Sequence, residues 1–216
     1  MMPLEPPADC ALCPRLVAFR EANRAAYPLF HNAPVRAFGP PDARLLVVGL
    51  APGLKGANQT GRPFTGDYAG DLLYQTFTKF GFAEGTYGRH AGDGLRLVDC
   101  RVTNAVRCVP PENKPTGAEA KNCRPFLAQE IAAMKALEVI LCLGGLSHGA
   151  VLTTLGARKS AYPFKHGALH RIDGLTVADS YHCSRYNTNT GRLTEAMFED
   201  VFRQIRDALA ALPQDT

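Results

Sequence analysis

Residues 44–80 read RLLVVGLAPGLKGANQTGRPFTGDYAGDLLYQTFTKF, and the fold turns on this stretch. Arg44–Leu50 is short, apolar and β-branched, the composition of a strand buried on both faces. Asp71–Phe80 places Leu72, Leu73, Thr76, Phe77 and Phe80 on one helical stripe and then meets Gly81, a C-terminal stop. A buried strand, a polar loop and an amphipathic helix in that order form the first half of a strand–helix–strand crossover. A parallel sheet covered by helices is therefore predicted.

The same alternation continues. Arg96–Ala105 (RLVDCRVTNA), Val139–Leu143 (VILCL) and Leu175–Tyr181 (LTVADSY) read as three more strands. Between and after them, helical patterns cover Arg124–Leu137, with Leu127, Ile131, Met134 and Leu137 on one face, and Leu146–Leu155, ending at Gly156. The last, Thr194–Leu212, aligns Met197, Val201, Phe202, Ile205, Leu209 and Leu212. With 216 residues and 46% hydrophobic content, the chain can bury one good core, so a single domain over residues 1–216 is expected. Residues 1–42, rich in proline, read as an arm packed against the sheet. No run approaches the roughly 18 apolar residues of a membrane span. The N-terminus lacks a basic start followed by an apolar stretch, so a cytoplasmic protein without a membrane partner is expected. The net charge of +4 and pI near 8.7 are modest and give nucleic-acid binding only a weak lead.

Seven cysteines, an odd number, favour metal ligands and buried thiols over a disulfide framework. Cys100 and Cys142 fall within apolar strands and read as core. Cys10 and Cys13 form a CxxC, while Cys108 and Cys123 lie in the polar segments RCVPPENKPTG and KNCRPF, unsuited to core thiols. These four read as one metal or iron–sulfur site; ligand count alone suits tetrahedral zinc equally well.

In an open parallel sheet, ligands collect beyond the carboxyl ends of the strands, so the segments that follow each strand carry the chemistry. The segment Gly49–Gly70 includes Gly49, Gly53, Gly56, Gly61, Gly66 and Gly70, and its backbone can approach a ligand closely. It contains neither GK[ST] nor GxGxxG, which argues against ATP and dinucleotides. Phe64, a large aromatic in this polar loop, reads either as a core plug or as a stacking platform for a planar base. Asn104 ends the second strand with an amide able to donate and accept at once, as reading a base edge requires, or merely closes a turn. His182 follows the last strand directly, in YHCSRYN, beside Ser184 and Asn187.

GLAPGLKGANQTGRPFTGD, NAVRC, HCSRYN and the cysteines at 10, 13, 108 and 123 together resemble the uracil-DNA glycosylase superfamily, most closely its thermophile-type family five, over nearly the whole chain. The resemblance implies a three-layer α/β/α fold around a four-stranded parallel sheet, and a [4Fe–4S] cluster held by Cys10, Cys13, Cys108 and Cys123. That cluster would tie down the arm. It further implies a monofunctional, monomeric enzyme that flips uracil out of DNA and hydrolyses its N-glycosidic bond, with hypoxanthine as a further base, to begin base excision repair. Other branches carry an acid early in the first motif, as in GQDPYH, or a glutamate after its first glycine. Here Leu50 and Ala51 stand in those places, so Asp67 becomes the candidate water activator, although an aspartate there could also cap the next helix. His182 becomes the main electrophilic donor. Gly49, Ala51, Gly53, Phe64 and Asn104 become the base pocket, and Ser184, Arg185, Tyr186 and Asn187 the segment entering DNA. The arm and the Cys108–Cys123 loop are then expected to bring Arg107, Lys114, Lys121 and Arg124 to DNA phosphates. A zinc-stabilised nucleic-acid-binding module without catalysis, or a nucleoside hydrolase, would use the same features.

Overall fold

The structure, a computed structural model, describes residues 4–211, so Leu212 of the last predicted helix and the first three residues of the arm lie outside the described residues. In chain order the elements are α1 (Pro14–Ala26), β1 (Leu45–Gly49), α2 (Ala57–Thr60), α3 (Tyr68–Lys79), β2 (Ala83–Glu84), β3 (Arg96–Leu97) and β4 (Cys100–Asn104). They continue with α4 (Gly117–Ala133), β5 (Val139–Leu143), α5 (Gly145–Thr154), β6 (Leu169–Ile172), β7 (Leu175–Ser180), α6 (Arg185–Asn189) and α7 (Glu195–Ala211).

The main sheet has the order β4-β1-β5-β7-β6; its first four strands are parallel and β6 pairs antiparallel with β7. Alternate residues of these strands point to opposite faces. Leu45, Val47 and Leu141 pack with Leu73 and Phe77 of α3 and Phe198 and Phe202 of α7. Leu46, Val48, Ile140 and Cys142 pack with Leu127 and Met134 of α4 and Val151 and Leu152 of α5. Two cores on one sheet make the three-layer α/β/α architecture. Cys100 and Cys142 are fully buried core thiols, as expected.

Three boundaries differ from the expectation, each for a local reason. The sheet has a fifth strand because Asp173 (φ 47°) and Gly174 (φ 85°) turn the chain between β6 and β7, as an Asp-Gly pair does in a two-residue hairpin. Arg96–Ala105 is broken in two: Asp99 adopts φ 53°, leaving β3 to pair with β2 and β4 to join the main sheet. Helix α4 begins at Gly117, well before Arg124, because Thr116 and Glu119 form a reciprocal capping box that starts it. Pro125 is accommodated inside it.

The arm does pack on the sheet. Phe38 exchanges both backbone hydrogen bonds with Val102 of β4, at 2.9 and 2.8 Å, and Val35 N–H donates to the Arg107 carbonyl at 2.8 Å. No helix among the described residues is long and apolar enough to cross a membrane.

Candidate active site

Parallel register sets up the site. Gly49, the last residue of β1, lies beside Asn104, the last residue of β4, and the pairing runs one step further through Ala105 N–H to Gly49 O and Val106 N–H to Leu50 O, both 2.9 Å. Over these strand ends opens a cavity of about 800 Å³. Of the predicted residues, Ala51, Gly53, Phe64, Asp67, Asn104, His182, Ser184 and Arg185 line it. Gly49 forms the floor beneath them: a methyl group there would lie 2.5 Å from Phe64 Cζ and overlap the Asn104 side-chain oxygen. Tyr186 is exposed and does not line the cavity, and the Asn187 amide turns back to donate to the His182 carbonyl at 2.8 Å. Asn187 therefore shapes the loop carrying His182.

Phe64 belongs to the core and to the cavity wall at once. Its ring is 6% exposed and joins the core, yet it borders the cavity and faces the His182 ring at 5.9 Å between centroids with a 31° tilt. It holds a left-handed backbone (φ 50°), a conformation that costs a bulky residue about 1–3 kcal/mol and persists only where surroundings enforce it. Gly70, in the first turn of α3, makes room for it, since a side chain there would overlap the Phe64 carbonyl. The Asn104 side chain, 3% exposed, makes no hydrogen bond with any described residue, so its donor and acceptor are available to a ligand.

Asp67 is both cap and cavity wall. It is the N-cap of α3 and its side chain accepts from Gly70 N–H at 3.3 Å, while Oδ2 faces Gly53 and Gly56. Burial pushes its carboxyl above the ordinary carboxylate value, with a smaller upward push from the Asp71 charge and an opposing pull from the helix N–H groups. Burial pulls His182 below the usual histidine value, so at neutral pH its imidazole is uncharged. The arrangement offers an acceptor for a water proton, a neutral N–H donor and a free amide around one aromatic face.

The cavity also contains residues that the sequence did not single out: Lys55, Tyr68, Arg89 and Asn113. Arg89 forms a bidentate pair with Asp71 at 2.8 and 2.7 Å, and Arg185 lies over the Tyr68 ring at 5.3 Å. Lys55 lies in the Gly49–Gly70 segment and Asn113 between Cys108 and Cys123, both beyond strand ends of the sheet. Arg89 had no local signal.

Cys10, Cys13, Cys108 and Cys123 line one small cavity of their own, walled by Leu16, Val106 and Phe126. All four are free thiols. Arg107 N–H points to Cys123 Sγ at 3.4 Å and the Asn122 amide to Cys13 Sγ at 3.7 Å. Burial raises Cys108 to about 12 and Cys123 to about 11. Four convergent thiols with N–H groups aimed at sulfur fit a four-thiolate metal centre. One expectation fails here. Arg107 is 1% exposed and bonded to Glu5 at 3.0 Å and to Glu130, so it cannot meet a phosphate, whereas Lys114 and Lys121 are exposed. A second convergence, Cys142, His148 and Asp179, is wholly buried; His148 bonds Asp179 at 2.7 Å and Asp179 bonds His170 at 3.1 Å, a hydrogen-bonded core network.

The family model described as the uracil DNA glycosylase superfamily matches residues 36–206. A type-5 uracil-DNA glycosylase of Thermus thermophilus is 43% identical over 91% of this chain and 92% of its own length. One from Pyrobaculum aerophilum is 40% identical over 91% of this chain and 87% of its own. A type-4 uracil-DNA glycosylase of Sulfurisphaera tokodaii is 30% identical over 86% of this chain and 78% of its own. With strand-end register, cavity and sequence in accord, the chain belongs to the uracil-DNA glycosylase superfamily.

Proposed function

We propose that this chain is a monofunctional DNA glycosylase that excises uracil from DNA and so begins base excision repair. The observation that carries the reading is the meeting of Asp67, Asn104 and His182 around the Phe64 ring in one cavity. A flipped uracil stacks on Phe64 and presents its edge to the Asn104 amide. As the N-glycosidic bond lengthens, its electron pair moves into the uracil ring and the sugar becomes oxocarbenium-like. The neutral His182 N–H donates to the developing uracil oxyanion, and water adds to the sugar carbon as Asp67 takes its proton. One preorganised donor of this kind contributes roughly a hundredfold to a thousandfold in rate. Hypoxanthine, with the same adjacent N–H and carbonyl, is a further substrate.

Ser184, Arg185 and Tyr186 enter the duplex at the vacated position, with Tyr186, 72% exposed, as the wedge. Cys10, Cys13, Cys108 and Cys123 hold a [4Fe–4S] cluster of structural role, which joins the arm to α4. The enzyme acts as a cytoplasmic monomer on uracil-containing DNA.

Oligonucleotides carrying a single uracil, hypoxanthine or thymine, incubated with the protein without divalent metal, test the activity. Alkali-labile sites are expected at uracil and hypoxanthine; their absence at uracil, with duplex binding retained, makes the chain a non-catalytic binding module. Cys108→Ser is expected to lose colour and iron. A purified variant that stays brown with full iron content excludes Cys108 as a ligand.

A further inference from the structure

The excursion between β2 and β3 reaches back under the base platform. Its residue Asp93 accepts a bidentate pair from Arg62 at 2.7 and 2.6 Å, and also accepts from Gly88 N–H at 2.8 Å and Leu95 N–H at 3.0 Å, so the loop folds around one buried carboxylate. The Arg62 guanidinium lies over the Phe38, Tyr74 and Tyr87 rings at 5.0, 5.5 and 5.7 Å, and Arg62 Nε donates to Thr65 Oγ1 at 2.8 Å. Tyr87 is thereby pressed against Tyr74, 4.7 Å between centroids. From there its hydroxyl donates to the Phe64 carbonyl and accepts from Gly66 N–H, both at 3.3 Å. Gly70 leaves this space open, as a side chain would overlap both the Tyr87 hydroxyl and the Phe64 carbonyl.

We infer that Tyr87 is a positioning residue for base excision: its hydroxyl bridges the backbone on either side of Thr65, locks Phe64 in its left-handed conformation and sets the ring plane that receives the base. The inference rests on the proposed function and goes beyond it. Phe64 and Gly66 both hold positive φ, 50° and 94°, and nothing in their own sequence enforces that for a phenylalanine. One phenolic hydroxyl supplies both a donor and an acceptor at the strained pair. Asp67 follows Gly66 directly, so the same bridge fixes the start of the segment that carries the water-activating carboxylate. Tyr87 itself is outside the lining of the catalytic cavity, so it acts through its neighbours.

The test places 4-fluorophenylalanine at position 64 and compares the protein with and without Tyr87→Phe, a change that removes one oxygen. The unsubstituted protein is expected to give one narrow fluorine resonance, and Tyr87→Phe a broadened or doubled one at an unchanged melting temperature. With natural Phe64, single-turnover uracil excision is expected to slow about tenfold while affinity for uracil-containing duplex stays within about twofold, because a platform displaced by a fraction of an ångström loses orientation rather than binding. An unchanged resonance, or an unchanged excision rate, overturns the inference; so does a rate that falls only in step with affinity and melting temperature, which makes Tyr87 structural. If the unsubstituted protein excises no uracil, the proposed function fails, and the fluorine spectrum alone decides whether Tyr87 locks Phe64.

Discussion

At the scale of single residues, the site depends on what is left out as much as on what is present. Gly49 sits where β1 ends, and any side chain there would meet Phe64 and Asn104 together. Gly49→Ala is therefore expected to lower single-turnover excision by about a hundredfold, with a smaller loss in duplex affinity, because it shifts the two groups proposed to hold the base. Asp67 yields a pH prediction. Only the ionised carboxylate can take the water proton, and burial sets its pKa above the ordinary carboxylate value, so the excision rate should fall as pH drops through a point above 3.8. Burial pulls His182 below its usual value of 6.5, so above that point it stays in its neutral form. In Asp67→Asn the acid limb should vanish along with most of the rate; a variant that keeps the rate across the pH range excludes Asp67 as water activator. That Asp67, Asn104, Phe64 and His182 would line one cavity could be read from their places: Asn104 ends β4, His182 lies just beyond β7, and Phe64 and Asp67 belong to the glycine-rich loop that follows β1. Arg89, Tyr87 and Asp93 were not, since their loop follows no strand of the main sheet and reaches the site through tertiary contacts alone: Arg89 with Asp71, Tyr87 with Phe64 and Gly66, and Asp93 with Arg62.

At the scale of elements, the strands were easiest to read where both faces are buried. Val139–Leu143 was read to the residue, with all five positions buried. β6 was missed because only Ile172 of its four residues is buried, so it carries no apolar run, and its signal lies in the Asp-Gly turn that follows. The start of α4 was missed for a related reason: seven residues precede Arg124 without a long apolar side chain, and only the Thr116–Glu119 cap announces the helix. That cap has a second task. Glu119 also takes a bidentate pair from Arg15 of α1 at 2.8 Å, and the two helices it joins carry cysteines, Cys13 at the start of α1 and Cys123 within α4. Thr116→Ala is expected to cost about 1 kcal/mol of unfolding free energy, read by urea denaturation, with little change in excision rate. A rate that falls tenfold in the folded variant would show instead that the helix start shapes the site.

At the scale of the whole molecule, arm and sheet are joined by buried charge as well as by the Phe38–Val102 backbone pair. Glu130 of α4 accepts from Arg101 of β4 at 2.8 Å and from Arg107, and Glu5 of the arm meets Arg107 at 3.0 Å. Glu130 and Arg107 are each 1% exposed. Glu130→Ala leaves two buried guanidiniums without their shared partner and is expected to cost about 3–5 kcal/mol, measured by thermal or urea unfolding. A loss below about 1 kcal/mol would mean that Glu5 and the Gly39 carbonyl, which Arg101 also reaches, compensate. The three-layer plan follows from alternation along β1 and β5 and was legible in the sequence; this charge lattice was not, because it joins residues far apart in the chain. Arg107 illustrates the difference, read as a surface cation and found at the centre of the lattice.

The backbone exchange between Phe38 and Val102 carries a consequence for how copies of the protein behave in solution. β4 is the outermost parallel strand, and an uncovered border of that kind offers N–H and C=O groups to any passing extended chain. The arm occupies that border at the centre of the strand, while its neighbour Gly39 gives its carbonyl to Arg101. Proteolytic removal of the arm would thus open a seam for strand addition, and the shortened protein should self-associate under conditions in which the intact chain stays dispersed.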